Sequence, residues 1–333
     1  MNTENKKVGY GVVGCGRIFP AHYAAIKKDR DSQLIAVYDI NSDAVRAVKE
    51  KFGVEAKNSL QELLSDPRVD VVTVCTPHHT HKDVILKVIE TGKYCLCEKP
   101  ICLTTKEGEE ILTSPHYKDN VFVCYQNRFN PAAQFLMKLL KKGILGQVKL
   151  CSASLRWWRD NSYFQDWHGD VEKVGGMGFN QGAHILDIMR QVCGMPLRVD
   201  RLAKPMRENS NVDDVLLANV VFDSGSYGNI ELTTFAPYKD WEVSLLVAGE
   251  KGTIKIGGVS VNKVEFLDVK DEELMKTYPQ YSEEIETGYG NSHPRVISAL
   301  TEFVKTGKKH PSLADARDGV QTTEFIEKIY ERH

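Results

Sequence analysis

The sequence predicts an α/β chain in two parts: a doubly wound parallel sheet over residues 1–125, then an α+β domain with a large open antiparallel sheet over 126–333. Three observations lead there. Up to residue 125, short and almost wholly apolar runs alternate with segments of helical spacing, as in parallel strands covered on both faces. Beyond 126 the runs alternate apolar with polar at period two and are joined by turns such as Asp223-Ser224-Gly225-Ser226, the pattern of antiparallel hairpins. Finally, 333 residues are more than one core usually serves.

The strands of the first part are expected at 8–13, 34–38, 69–75, 94–97 and 121–125. Ser42, Ser59 and Thr80 stand where helix N-caps belong, and Gly53 and Gly92 where helices should end. In the second part a helix is expected over 131–142, with strands over 147–159, 215–222, 228–234, 242–247 and 252–256. Two closing helices follow at 294–305 and 314–330, after a charged, exposed segment at 272–286.

Hydrophobic residues make up 42% of the chain and charged residues 26%, so both parts have apolar volume for a core. With 43 basic against 45 acidic residues there is no global field to gather nucleic acid or an anionic membrane. Eight cysteines, none in a CxxC pair, fall mostly in apolar runs and suit a reducing cytoplasm rather than a disulfide framework. Residues 1–7 are polar, which excludes a signal-peptide core there, and no stretch reaches the roughly 18 apolar residues of a membrane span.

The first expected strand runs into Gly14-Cys15-Gly16-Arg17-Ile18 and then a helix. Glycine at 14 permits a tight bend, and glycine at 16 lets a pyrophosphate approach the amides of a helix N-terminus. The third glycine of the usual dinucleotide fingerprint is Phe19 here. Asp39 ends the second strand, where a carboxylate accepts from both ribose hydroxyls and repels a 2'-phosphate, so NAD is expected over NADP.

Lys99, in Cys97-Glu98-Lys99-Pro100, and the run Thr76-Pro77-His78-His79-Thr80-His81 both fall at carboxyl ends of parallel strands, where such sheets bind ligands. The three histidines lack partner carboxylates at metal-site spacing, so no metal is expected. In the second part, Gly175-Gly176 opens a helix that would carry Asn180, His184 and Asp187 on one face. A histidine there is a candidate proton carrier for a site shared with Lys99.

Taken together, Gly14-Cys15-Gly16-Arg17-Ile18, Thr76-Pro77 with His81, Glu98-Lys99-Pro100, and Gly175-Gly176 with His184 and Asp187 resemble the Gfo/Idh/MocA oxidoreductases over nearly the whole chain. The resemblance implies a Rossmann domain, a C-terminal sheet that mediates a dimer or tetramer, and hydride transfer between a sugar carbon and NAD, with Lys99 and His184 beside the reacting hydroxyl. It further implies cofactor contacts from Gly14, Cys15, Gly16, Arg17, Ile18, Asp39, Thr76, Pro77, His81, Glu98, Arg128, Trp167 and His168, and NADH retained after turnover. The family's usual arginine after Trp167 is His168 here.

Three segments, 126–131, 155–169 and 249–265, are similar to bacterial enzymes that oxidise the 3'-hydroxyl of UDP-N-acetylglucosaminuronic acid, as is asparagine rather than aspartate at 180. That narrower resemblance implies a nucleotide sugar met by Lys99, Arg156, Arg159, Tyr163, Asn180, Gln181 and His184. Arg156 and Arg159 are the candidate anchors for diphosphate or carboxylate, and strand alternation lets only one of them face the site. A dehydrogenase of free sugars or cyclitols, an enzyme of different regiochemistry on a nucleotide sugar, and an NAD-binding regulator without catalysis are the competing readings.

Overall fold

The computed structural model describes residues 6–236, 238–285 and 288–331. The expectations for residues 1–5 and for Glu286 lie outside the described residues. In chain order the first elements are β1 (Val8–Val13), α1 (Phe19–Lys28), β2 (Ser32–Tyr38), α2 (Ser42–Phe52), α3 (Leu60–Ser65), β3 (Val71–Val74), α4 (His81–Glu90), β4 (Tyr94–Cys97), α5 (Thr105–Leu112) and β5 (Val121–Val123). Next come α6 (Pro131–Lys141), β6 (Val148–Arg156), α7 (Val171–Val174), α8 (Met177–Asn180), α9 (Ala183–Cys193), β7 (Pro196–Lys204) and β8 (Val215–Phe222). The chain continues with β9 (Tyr227–Thr233), β10 (Glu242–Gly249), β11 (Gly252–Gly257), β12 (Lys263–Val269) and α10 (Glu272–Thr277), and closes with α11 (His293–Thr306), β13 (Ala314–Asp315) and α12 (Ala316–Tyr330). Among the described residues no helix is long and apolar enough to cross a membrane.

The chain divides into two compact units, Met1–Tyr125 with Ser292–Val320, and Gln126–Asn291 with Gln321–His333. The expected second domain at 126–333 therefore gives up Ser292–Val320 to the first. The cause is packing. A parallel sheet must be covered on both faces, and α11 turns Val296, Ile297 and Leu300 inward, with Phe303 edge-on to Phe122 at 5.0 Å. Tyr10, buried in β1, bonds Thr301 of α11 at 2.8 Å. Ala314 and Asp315, expected to begin the last helix, form β13 instead and pair antiparallel with β5.

The first sheet has the order β13-β5-β4-β3-β1-β2, with β1 to β5 parallel. Strand order switches direction at β1 and β3, so a crevice opens beyond their carboxyl ends. Ser59 caps α3 as expected, accepting from the Glu62 amide at 3.1 Å. Asn41 rather than Ser42 caps α2, while the Thr80 hydroxyl turns to Thr76 and the Pro77 carbonyl. Gly53 ends α2 with φ 64°.

The second sheet has the order β12-β11-β10-β6-β9-β8-β7. It is antiparallel except at β6 with β9, which run parallel. Its inner face carries Cys151, Ala153, Leu155, Ile230, Leu232, Val243 and Leu245, all buried, and packs against α9. The helix expected to carry Asn180, His184 and Asp187 together is interrupted: Asn180 ends α8, and α9 begins at Ala183. The turn before α8 is pinned by Tyr330, whose hydroxyl accepts from the Gly178 amide at 2.9 Å and donates to Asp213 at 2.7 Å. Asp213 in turn accepts from the Met177 amide at 2.9 Å. Tyr330→Phe strands a buried amide and a carboxylate, so it should cost about 1–3 kcal/mol; an unchanged urea midpoint would show that the pin carries no weight.

Candidate active site

In the first unit the candidate residues gather at the carboxyl edge of the sheet. Gly14 has φ 101°, and a Cβ there would lie 2.4 Å from the Cys75 carbonyl oxygen, so only glycine fits the bend. A Cβ on Gly16 would meet nothing within 4 Å. That open space in front of the turn preceding α1 is the cradle a pyrophosphate needs. Arg17 is exposed and Ile18 half-buried beside it. Phe19, in place of the third glycine, is fully buried with its ring 5.5 Å from Phe52, so this position packs through an aromatic side chain instead of a close backbone approach.

Asp39 follows β2 and accepts from the Cys15 amide at 2.7 Å through Oδ2 and from the Asn41 amide at 2.8 Å through Oδ1. Each oxygen keeps a further lone pair for a ribose hydroxyl. The carboxylate thus joins the glycine turn to the ribose position, and the residues present fit NAD. Asp39→Asn removes a charge-assisted acceptor worth about 1.5–3 kcal/mol, so NADH affinity should fall about 10–100-fold and the preference over NADPH should narrow. Fluorescence titration with both cofactors checks this, and an unchanged ratio would sink the assignment.

Thr76 and Pro77 continue from β3. His81 is fully buried, with Nδ1 2.7 Å from the Pro100 carbonyl and Nε2 2.7 Å from the Thr76 carbonyl. Burial pushes its pKa down. Both ring nitrogens lie against protein carbonyls, to one of which the neutral ring donates, so His81 sits between the end of β3 and the loop after Lys99. Lys99, half-buried, follows β4, and its backbone amide donates to Glu98 Oε2 at 3.2 Å. Glu98 Oε1 meets His22 Nε2 at 2.7 Å. Burial opposes ionisation of Glu98, yet His22, His293 and Lys99 hold its carboxyl well below the usual range. Burial also works against a charged His22, but Cys75 and Glu98 raise its pKa to about 10. His22 was not singled out in the sequence, because nothing in a helix pattern shows that a histidine between Ala21 and Tyr23 meets Glu98, 76 residues later.

The second unit holds its own cluster. Asn180 Nδ2 donates to the Tyr163 hydroxyl at 3.1 Å. Tyr163 lies 4.4 Å from the His168 ring, which stacks on Trp167 at 3.8 Å and bonds Asp166 through Nδ1. The Arg159 guanidinium stands 5.5 Å above the Tyr163 ring and donates Nη1 to Asp240 at 2.6 Å. His184, buried, is in the first turn of α9. Gln181, three residues before it, is buried, and among the described residues its Nε2 has no hydrogen-bond partner.

Two arginines leave this cluster. Arg156 extends from the sheet face opposite Leu155 and α9, where it pairs with Glu231 at 2.6 Å and with Glu242. Arg159 is therefore the anchor candidate that the fold keeps with Tyr163 and Asn180. Arg128, expected at the cofactor, donates Nε and Nη2 to buried Asp187 at 2.7 and 2.6 Å. Arg207 was missed altogether. It pairs with Asp214 and donates to the Arg159 carbonyl at 2.6 Å, so it sets the backbone from which Arg159 extends. Its place in an irregular segment after a strand that the pattern did not reveal gave no signal.

A Rossmann unit with a glycine turn, an acidic ribose acceptor and a lysine at the sheet edge, joined to a sheet unit with a helical histidine, defines an NAD-dependent oxidoreductase of the sugar and polyol type. The chain belongs to the Gfo/Idh/MocA oxidoreductase family: residues 8–144 match its NAD-binding Rossmann fold and 137–333 its C-terminal alpha/beta domain. It is 27% identical to myo-inositol 2-dehydrogenase of Thermotoga maritima over 93% of this chain and 91% of that one. It is 26% identical to 2,7-anhydro-N-acetylneuraminate hydratase of Mediterraneibacter gnavus, over 92% and 82%. Among solved structures, the WlbA dehydrogenase of Chromobacterium violaceum, in complex with NADH and UDP-GlcNAcA, superimposes with a TM-score of 0.88 at 26% identity, covering 98% of this chain and 94% of that one.

Proposed function

We propose that the chain oxidises the 3'-hydroxyl of a UDP-N-acetylglucosaminuronic acid-type nucleotide sugar to the 3-keto sugar with NAD, in the synthesis of cell-surface polysaccharide precursors. The observation that carries this reading is the Arg159–Tyr163–Asn180 cluster. A guanidinium suits a diphosphate or a carboxylate, and the neutral amide of Asn180 does not repel an anion as aspartate would. The likeness to the WlbA structure supports the same reading.

When bound, NAD supplies the hydride acceptor. Lys99, assisted by His184, takes the hydroxyl proton as the carbonyl forms, which requires a neutral amine. Arg159, Tyr163, Asn180 and Gln181 orient the sugar, and the Gly14–Gly16 turn and Asp39 hold the cofactor in place.

Purified protein mixed with NAD and a panel of UDP-GlcNAcA, UDP-GlcNAc, N-acetylglucosamine and inositols tests the proposal through NADH absorbance. UDP-GlcNAcA is expected to react and the free sugars not. Reaction with inositols alone would favour a cyclitol dehydrogenase, a reading that the Thermotoga maritima relative supports. Binding of NAD with no turnover of any substrate would favour a regulator. Arg159→Met should raise KM about 10–100-fold with kcat little changed, the mark of uniform binding.

The outer face of the second sheet exposes Leu150, Leu202, Leu217, Tyr227, Trp241 and Phe266 around the ion pairs of Arg156 with Glu231 and of Lys255 with Glu242 and Glu265. An apolar face of this extent suits a second copy of the chain, so a dimer or tetramer is expected. Sedimentation of the wild type and of Trp241→Glu tests it; a monomeric wild type would exclude it.

A further inference from the structure

At the carboxyl edge of the first sheet stands a buried group of donors to which the proposed hydride transfer assigns no chemical step. His22 comes from α1, Glu98 follows β4, Cys124 follows β5 and His293 opens α11. One ligand atom from each lies within 4.8 Å of all the others, and all four residues are more than nine-tenths buried.

The geometry points to a divalent transition-metal site, with zinc as the fitting ion, held by His22, Glu98, Cys124 and His293. Two imidazoles, a thiolate and a carboxylate are the borderline-soft donors that zinc takes in tetrahedral sites. The thiolate and the carboxylate balance the dication, so no net charge is left buried. The histidine rings converge edge to face with centroids 5.3 Å apart.

His293 Nε2 gives a second, independent sign. It is buried and has no hydrogen-bond partner among the described residues, yet it points at Glu98 Oε1 from 3.9 Å, too far for a hydrogen bond. Ion-to-donor distances of about 2.0–2.3 Å set tetrahedral donor separations of about 3.3–3.8 Å. The His22–Glu98 separation of 2.7 Å and the His293–Glu98 separation of 3.9 Å bracket that range. A swing of the carboxylate from His22 toward His293 by less than about 1 Å brings both into it.

Four protein donors leave no open coordination position, so the site is structural. It staples together elements from residue 22 to residue 293 beside the loop that carries Lys99. The site does not depend on which sugar is oxidised.

Full-length chain produced in minimal medium with added zinc, then desalted, should retain a single equivalent of zinc. Cobalt-grown protein should show tetrahedral visible bands and a thiolate-to-cobalt charge-transfer band. Cys124→Ser should abolish the charge-transfer band and His293→Gln should lower the retained metal, whereas exposed His79→Gln should change neither. A folded wild-type chain with no retained metal overturns the site, as does equal retention in the Cys124→Ser and His293→Gln proteins. The readout needs neither NAD nor sugar, so its failure is separable from failure of the proposed reaction.

Discussion

Lys99→Met should lower kcat for the nucleotide sugar by about 10²–10⁴-fold, the usual span for a lost general base, while NAD affinity stays close to wild type. Lys99 is the first residue but one beyond β4, at the carboxyl edge shared by Gly14, Asp39 and Thr76. Its backbone is fixed by the Glu98 carboxylate, which His22 holds from α1. Methionine keeps the apolar stem and removes only the amine, so stability should change little. Single-turnover kinetics with a cofactor titration separate the two effects. If Lys99→Met retained more than a tenth of wild-type kcat, proton transfer would have to be assigned to another group, His184 first.

Arg128→Met should cost about 3–5 kcal/mol of stability, because it leaves the carboxylate of Asp187 buried without its main partner. The melting temperature should fall by on the order of 10 °C for a unit of this size. Burial alone would raise the Asp187 pKa, and Arg128 with Arg190 and Thr322 brings it below the ordinary value. A depressed folded pKa adds stability that is present above the unfolded value of about 4 and is lost as pH falls through the folded one. The gap between wild type and variant should therefore be widest near neutrality and close in acid. Equal melting temperatures at neutral pH would show that Thr322, Gln191 and Arg190, which also touch Asp187, suffice without it.

Much of the first unit was legible. Its strands are apolar on both faces, so β1 stands out at the residues expected, and the glycine turn and Asp39 occupy consecutive strand ends. The second unit was less legible where a strand lacks clean alternation. β7 was missed because Leu197, Arg198, Asp200 and Leu202 all face outward or lie exposed. β12 was missed because a register shift opposite Lys255 and Ile256 puts Glu265 and Phe266 side by side in solvent. The parallel pairing of β6 with β9 was hidden for a different reason: pattern reports which face of a strand is apolar, not which neighbour it takes.

The sequence by itself determined the two architectures, the cofactor turn, the preference for NAD and the identity of Lys99 and His184 as the residues to test. These are local matters of strand-end position, glycine conformation and charge. It also raised the expectation that only one of Arg156 and Arg159 faces the site, from the alternation of a strand reaching residue 159, whereas β6 ends at Arg156. Only the tertiary structure decided that Arg159, beyond the end of β6 and held through its carbonyl by Arg207, lies by Tyr163 while Arg156 turns to Glu231 and Glu242. It decided, too, that α11 covers the first sheet, that Arg128 answers to Asp187, and that His22, Glu98, Cys124 and His293 converge. An amphipathic helix or a buried polar side chain announces that it needs a partner, but the partner is fixed by contacts between residues far apart in the chain.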